Sequence, residues 1–312
     1  MFSMLISPVC SSLENKPLDQ TALRGVKNIL VEGGSRSLAH HLTRADLELL
    51  HGGAPGEDLG LGMRSGIELA TLPHGAQLRQ DLIERSECVK LLVAATVLMG
   101  NEGPEERAQL IQRWVQLAVD TKTAMGNLYG FTNIMLGLMV PEVQRLQATW
   151  HTLRQRHTDS AFTYESKLRS CLKAMNECSN DLAPNTTIPH LLPFLLLCER
   201  DMDDIYASHT KGSSLLQWES TESDYGLSII VKHLEEARAF GSSLALFQRN
   251  AEHLLADETI ALEDLTLDTF RTEFHLKFLW GSRGAAAVAH ERHAKFQSVL
   301  QTLSELCEPS KT

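Results

Sequence analysis

The sequence predicts an all-α fold, and three observations support this prediction. Apolar residues recur at intervals of three and four along most of the chain, which is typical of helices with one buried face. No stretch alternates apolar and polar residues clearly enough to predict a strand. Glycine and proline fall where the helical patterns stop and start. The 312 residues would fill either two average domains or one large helical domain.

The first half of the chain contains four clear helical patterns. A helix over 17–31 is predicted to stop at Gly33, and Ser35 is placed to cap a second helix over 35–50. A long helix over 75–99 has a polar first half and an apolar second half, which predicts that its second half is buried. Pro104 then marks the start of the next helix, because proline suits the first helical position.

The same periodicity continues to the end of the chain. It predicts further helices at about 127–138, 141–157, 160–178, 188–206, 223–248, 265–280 and 286–307. Residues 1–16 are predicted to be a flexible leader, residues 17–308 one helical domain and residues 309–312 a tail.

Composition excludes several classes of protein. There are 29 basic and 39 acidic residues, and the resulting net charge of −10 argues against a general nucleic-acid binder. The longest apolar runs, 91–99 and 191–198, are too short to cross a bilayer. The six cysteines are scattered and form no C-x-x-C pair. Three disulfides are possible by count, but we expect reduced cysteines in a cytoplasmic protein.

No motif predicts bond-breaking chemistry. The chain contains no P-loop, no H-E-x-x-H and no G-x-S-x-G sequence. His290 and His293 share one helical face, but a metal site would need further ligands, so an exposed polar face is expected there. We therefore predict no catalytic residues, no cofactor and no metal.

The helix predicted over 223–248 carries an apolar stripe. Its members recur at i, i+3, i+7, i+10 and i+14, and they are Leu227, Ile230, Leu234, Ala237 and Gly241. Such a stripe can dock on a partner helix, but it can equally be ordinary core. Arg238 lies one turn beyond Leu234 on the same side, and an apolar anchor beside an arginine is a common hot-spot composition.

Three segments resemble the sequence blocks of Ras-type guanine-nucleotide exchange domains. The first is 36–50, and the second is 106–118 continuing to 145–150. The third is the segment 189–193, with the sequence Pro-His-Leu-Leu-Pro, which is followed by Glu199. Where the family usually shows N-F-N in the second block, this chain has the sequence Asn-Leu-Tyr-Gly-Phe at 127–131.

A closer resemblance covers nearly all of residues 17–308. The segments that carry it are 65–75, 153–158, 164–168, 272–274 and 279–284. They resemble the C-terminal domain of the novel Src-homology-2-containing adaptor family. The resemblance implies an exchange-domain fold with a closed, non-catalytic groove. It also implies binding to the focal-adhesion-targeting four-helix domain of Crk-associated-substrate scaffolds, in adhesion and migration signalling.

In that family the contact leucine and contact arginine match Leu234 and Arg238. Together with the stripe, this gives Leu234, Arg238, Ile230 and Ala237 as the predicted partner-binding residues. The resemblance also implies a cytoplasmic protein that is recruited to focal adhesions.

Exchange activity on Ras- or Rap-type GTPases is the alternative function, and binding such a GTPase without nucleotide release is a third. In active relatives the helical hairpin that opens the GTPase has an N-F-x-K-like start. The matching stretch here, 223–232, lacks that start, so we expect a non-enzymatic domain.

Overall fold

The computed structural model describes residues 16–51, 65–100, 103–179, 182–199, 227–256 and 268–309. Nearly all of the regular structure in these ranges is helical, and the β-type pairing found there is an isolated bridge between Asn127 and Ile188. The all-α prediction is confirmed. The predicted leader lies outside the described residues except for Lys16, and so does the predicted tail except for Pro309.

The helices of the first half of the chain follow the predicted order. They are α1 (Gln20–Glu32), α2 (Ser35–His51), α3 (Gly66–Thr71), α4 (Ala76–Leu98), α5 (Pro104–Thr123), α6 (Leu128–Met139) and the short α7 (Pro141–Gln144). A single 3₁₀ turn, Pro73–Gly75, precedes α4.

The second half continues with seven helices in the described ranges. They are α8 (Gln147–Arg156), α9 (Thr158–Phe162), α10 (Arg169–Asn176), α11 (Leu192–Cys198), α12 (Leu227–Leu255), α13 (Thr272–Gly284) and α14 (Ala289–Cys307). A π-helical turn, Thr163–Leu168, joins α9 to α10.

Polar side chains at the helix ends explain several of these boundaries. The Asp19 carboxylate accepts the backbone N–H groups of Thr21 and Ala22 at 3.0 and 2.9 Å, which caps α1. Pro104 begins α5 as predicted, and the Glu106 carboxylate accepts the N–H of Gly103 at 2.8 Å. Each bond satisfies a donor that the first turn of a helix would otherwise leave unpaired.

Two predicted helices are only partly observed, and one observed helix was not predicted. The helix predicted over 141–157 is broken, because the backbone of Leu146 leaves the helical region with ψ at 78°. The helix predicted over 188–206 is observed only as α11, and residues 200–206 lie outside the described ranges. Helix α3 was not predicted, because six residues are too few to show a helical period.

Helix α4 lies at the centre of the main core. It packs against α6, α11, α13 and α14. Every residue from Leu91 to Leu98 is buried, which confirms the predicted burial of its second half. No helix of the described ranges is both long and apolar enough to span a membrane.

A second, smaller core holds α12. The buried side chains of α12 in this cluster are Ala237, Phe240, Phe247 and Ala251. They pack with apolar residues of α2, α3 and α11. This packing fixes which side of α12 faces the protein and which side faces solvent.

Candidate functional site

One long edge of α12 faces solvent and carries two large apolar side chains. Val231 and Leu234 are 45% and 40% exposed, and Arg238 is also exposed. Val231 lies three residues before Leu234 and Arg238 lies four residues after it, so all three project from the same side of the helix. We call Val231, Leu234 and Arg238 the docking face.

Within the part of the chain that the structure describes, the docking face is not packed into either apolar core. Among the described residues no carboxylate forms an ion pair with Arg238, and Leu234 is outside both apolar clusters. An apolar anchor next to an unpaired guanidinium is a surface that a partner can use, because arginine binds a carboxylate through two parallel hydrogen bonds.

The four predicted partner-binding residues differ in their exposure to solvent. Leu234 and Arg238 are exposed, and Ile230 is half-buried. Ala237 is only 5% exposed and packs in the second core, so its side chain faces the protein and not a partner. The side chain of Leu227 lies outside what the structure describes.

Val231 was not predicted from the sequence. The predicted stripe ran through Ile230 and Ala237, whereas the exposed line runs through Val231, Leu234 and Arg238. These lines are neighbours on one helix, and periodicity alone does not show which of them faces the core. The signal that could have found Val231 is its i, i+3 spacing to Leu234.

The first two exchange-type sequence blocks meet in a buried polar network. Asp46, in the first block, forms a fully buried ion pair with Arg85, and Asn127 donates a 2.6 Å hydrogen bond to the same carboxylate. The Asn127 side chain also accepts the N–H of Gly130 at 2.7 Å and so caps α6. These residues hold α2, α4 and α6 together and are not accessible to a ligand.

The acid that follows the third block also stabilises the fold. Glu199 accepts a hydrogen bond from the Arg79 guanidinium at 2.6 Å, and Arg79 further donates to the carbonyl oxygens of Ala70 and Leu72. This acid therefore anchors α11 to α4. The stretch expected to match the exchange hairpin falls partly on residues 223–226, which lie outside the described residues, and continues as the start of α12.

The pair His290 and His293 forms no metal site in the described structure. His290 is exposed as expected, but His293 is half-buried, and its Nε2 lies 3.5 Å from a Glu84 oxygen. Glu84 is also held by Arg292 through two hydrogen bonds of 3.0 and 2.9 Å. The expectation of a wholly exposed face was wrong, because this end of α14 packs on α4.

Comparison with known proteins gives two consistent results. The sequence profile of the RasGEF domain matches residues 37–221. SH2 domain-containing protein 3C of Mus musculus is 40% identical over 301 residues, which is 95% of this chain and 34% of the relative. Breast cancer anti-estrogen resistance protein 3 homolog is 35% identical in Mus musculus and 34% identical in Xenopus laevis. Those alignments cover 95% and 96% of this chain, and 35% and 36% of the relatives.

The RasGEF profile match and the alignments to the relatives differ in whether they include α12. The RasGEF profile ends at residue 221, before α12 begins at Leu227. The alignments to the adaptor-type relatives cover 95% of the chain and must therefore include most of this 29-residue helix. The chain spans about a third of the length of these relatives.

Proposed function

Because the chain belongs to the RasGEF-domain family, in the form found in novel Src-homology-2-containing adaptors, we propose that it is the scaffold-binding module of a cytoplasmic signalling adaptor. Its partner is the focal-adhesion-targeting four-helix domain of a Crk-associated-substrate scaffold. Binding would recruit the protein to focal adhesions, where it would act in adhesion and migration signalling. The observation that carries this proposal is the exposed pair Leu234 and Arg238 on α12.

The chemistry of the docking face suits a four-helix partner. A groove between two partner helices accepts an apolar side chain from a third helix, as in other helix-in-groove complexes. Leu234 supplies the apolar anchor, and Val231 extends it by one turn. Arg238 would pair with a carboxylate at the rim of that groove. Because Ala237 is buried against the rest of the domain, α12 is held in place with the docking face towards solvent.

Titration calorimetry with a purified focal-adhesion-targeting domain tests this proposal. We expect Leu234→Glu or Arg238→Glu to weaken binding by roughly 2–5 kcal/mol, because each change leaves a charge unpaired in the interface. Both residues are exposed in the free protein, so its thermal unfolding should change little.

Two variants serve as matched controls. Val288→Glu places the same charge on a 59% exposed side chain between α13 and α14. Arg249→Glu reverses an exposed arginine about 16 Å further along α12. Wild-type affinity in the folded Leu234→Glu and Arg238→Glu variants would refute the assignment, and so would equal losses in all four variants.

Nucleotide exchange on a Ras- or Rap-type GTPase is the second candidate, and the RasGEF match over 37–221 is the observation in its favour. An exchange factor accelerates GDP release at substoichiometric concentration. If the domain acts only as an adaptor, we expect it not to accelerate the release of labelled GDP from any of a panel of such GTPases. Acceleration by the wild-type chain would make exchange the function. Capture of nucleotide-free GTPase without acceleration would support GTPase binding alone.

A further inference from the structure

Three side chains that can bind a metal converge where α10 meets the beginning of α12. The Cys178 Sγ, the His233 Nδ1 and a carboxylate oxygen of Glu236 all lie within 4.8 Å of one another. The Cys178 Sγ and the His233 Nδ1 are 3.2 Å apart. His233 is buried, whereas Cys178 and Glu236 are half-buried, so the cluster is open to solvent on one side.

The Nδ1 nitrogen of His233 faces the cluster, and its lone pair is available to bind a metal. Its Nε2 lies 2.9 Å from the backbone oxygen of Asn176. A carbonyl oxygen can only accept, so Nε2 carries the ring proton and Nδ1 presents its lone pair to Cys178. A second-shell carbonyl on the far nitrogen is the usual arrangement for a histidine that binds a metal.

The cluster has too few protons for its acceptors. The Cys178 thiol contacts both the His233 Nδ1 and the Glu236 carboxylate. A thiol has one proton and can donate it to only one of these two acceptors at a time. A divalent cation would satisfy the sulfur, the nitrogen and the oxygen together.

The backbone of Cys178 is also unusual. Its φ is +52°, a left-handed conformation that glycine normally supplies after the end of a helix. The bonds from the N–H of Cys178 to Met175 and from the N–H of Ser179 to Ala174, at 3.1 and 2.9 Å, complete the usual helix-ending motif. A cysteine therefore occupies a glycine position, and its side chain is directed at α12.

We propose that Cys178, His233 and Glu236 bind a zinc ion, with a water molecule as the fourth ligand. On binding, a sulfur–zinc bond replaces the S–H bond, the proton passes to solvent, and no redox change occurs. Usual Zn–S and Zn–N bond lengths in tetrahedral geometry imply a sulfur–nitrogen separation of about 3.5 Å. The 3.2 Å separation in the structure needs only a small adjustment.

His190 is not a further ligand. Its ring lies edge-on to His233 with a centroid separation of 6.4 Å. Its Nδ1 is 3.1 Å from the Thr132 hydroxyl and its Nε2 is 2.9 Å from the Asn176 side-chain oxygen. Both nitrogens are occupied, so the fourth position faces solvent.

The same three residues do not make a nucleophilic cysteine. A reactive cysteine needs a lowered thiol pKa. Here burial and the neighbouring Glu236 raise the pKa of the Cys178 thiol to about 12. A bound cation would reverse this electrostatic effect.

Zinc at this position would connect the end of α10 to the first turns of α12. His233 directly precedes Leu234, so the metal would restrain the helix that carries the docking face. The zinc proposal stands on the cluster alone and does not depend on what α12 binds.

Cobalt substitution tests the proposal in the purified full chain. We expect Co²⁺ to give a thiolate charge-transfer absorption band in the near ultraviolet, and Zn²⁺ to displace it. Cys178→Gly should keep the left-handed backbone and the fold. It should remove the band and weaken Zn²⁺ binding by at least about tenfold, since loss of even a supporting group costs that much.

Two further variants complete the test. Glu236→Gln should weaken Zn²⁺ binding while keeping the thiolate band, and Cys198→Ser, at an exposed cysteine elsewhere, should change neither. The proposal is overturned if the wild-type chain gives no thiolate band. It is equally overturned if the band persists in Cys178→Gly, or if Zn²⁺ fails to slow alkylation of Cys178.

Discussion

At the residue scale, the core contains a charge pair that solvent cannot reach. The side chains of Arg85 and Asp46 are 1% and 0% exposed. Arg85 also donates to the backbone oxygen of Phe270 at 2.8 Å, so the pair links α4 to the segment that precedes α13. Removing one member of a buried pair leaves the other charge uncompensated.

We therefore expect Asp46→Ala to lower the free energy of unfolding by about 3–5 kcal/mol. Glu48→Ala is the matched control, because Glu48 lies on the same helix and forms surface ion pairs with Arg44 at 3.3 Å and with Arg271 at 3.5 Å. An exposed pair of this kind contributes about 0.2–1 kcal/mol. Urea unfolding of both variants checks the prediction, and equal losses would contradict it.

A buried histidine gives the stability a pH dependence. Burial and the nearby Arg85 lower the pKa of His275 from 6.5 to about 3. Its Nε2 bonds the backbone oxygen of Thr269 at 2.9 Å. As the pH falls below 6.5, the unfolded chain takes up a proton that the folded chain does not, so stability is lost as pH falls.

This histidine should contribute a loss of about 1.4 kcal/mol per pH unit between its unfolded and folded pKa values. Replacing it, as His275→Gln, should reduce the slope of unfolding free energy against pH by one proton. Urea unfolding at several pH values between about 6.5 and 4.5 measures that slope. Identical slopes in the two proteins would contradict the assignment.

At the element scale, α12 has one face that is buried in the second core and one face that is exposed to solvent. Phe247 is 1% exposed and meets Phe240 edge-on, with ring centroids 6.4 Å apart. We expect Phe247→Ala to cost about 3–5 kcal/mol of stability, because it leaves a cavity under the helix. Thermal unfolding measures this cost, with Val288→Ala at an exposed site as the control.

Phe247→Ala also separates the effect of loosening α12 from the effect of removing a side chain that contacts the partner. Phe247→Ala should also weaken scaffold binding, because it loosens the base of the docking face without altering that face. Leu234→Glu should weaken binding with little change in stability. If Phe247→Ala left stability unchanged, the described packing of α12 would be wrong.

The sequence predicted the helices well where one face is buried over many turns, as in α4, α5 and α14. It failed at α3 and at the break before α8, because short elements and single non-helical residues such as Leu146 leave no periodic signal. Leu234 and Arg238 are both exposed on one side of α12, whereas Ala237 is buried, and the partner-binding role of these residues stays a prediction. The Cys178 cluster could not be predicted, since only His233 and Glu236 are close in sequence.

At the scale of the whole molecule, the exchange-type blocks contribute to the buried core, whereas the docking face lies at the surface. The blocks supply buried bonds, such as Asp46 with Asn127 and Glu199 with Arg79, which stabilise the helical core. The docking face lies beyond the residues that the RasGEF profile matches. One fold can therefore combine a buried core that the family shares with surfaces that serve different functions.

Hydrogen exchange of the domain, with and without a focal-adhesion-targeting domain, tests most directly where the partner binds. We expect added protection to concentrate in peptides covering 227–241, at the exposed start of α12. Protection confined to other helices, with 227–241 unchanged under saturating partner, would contradict it.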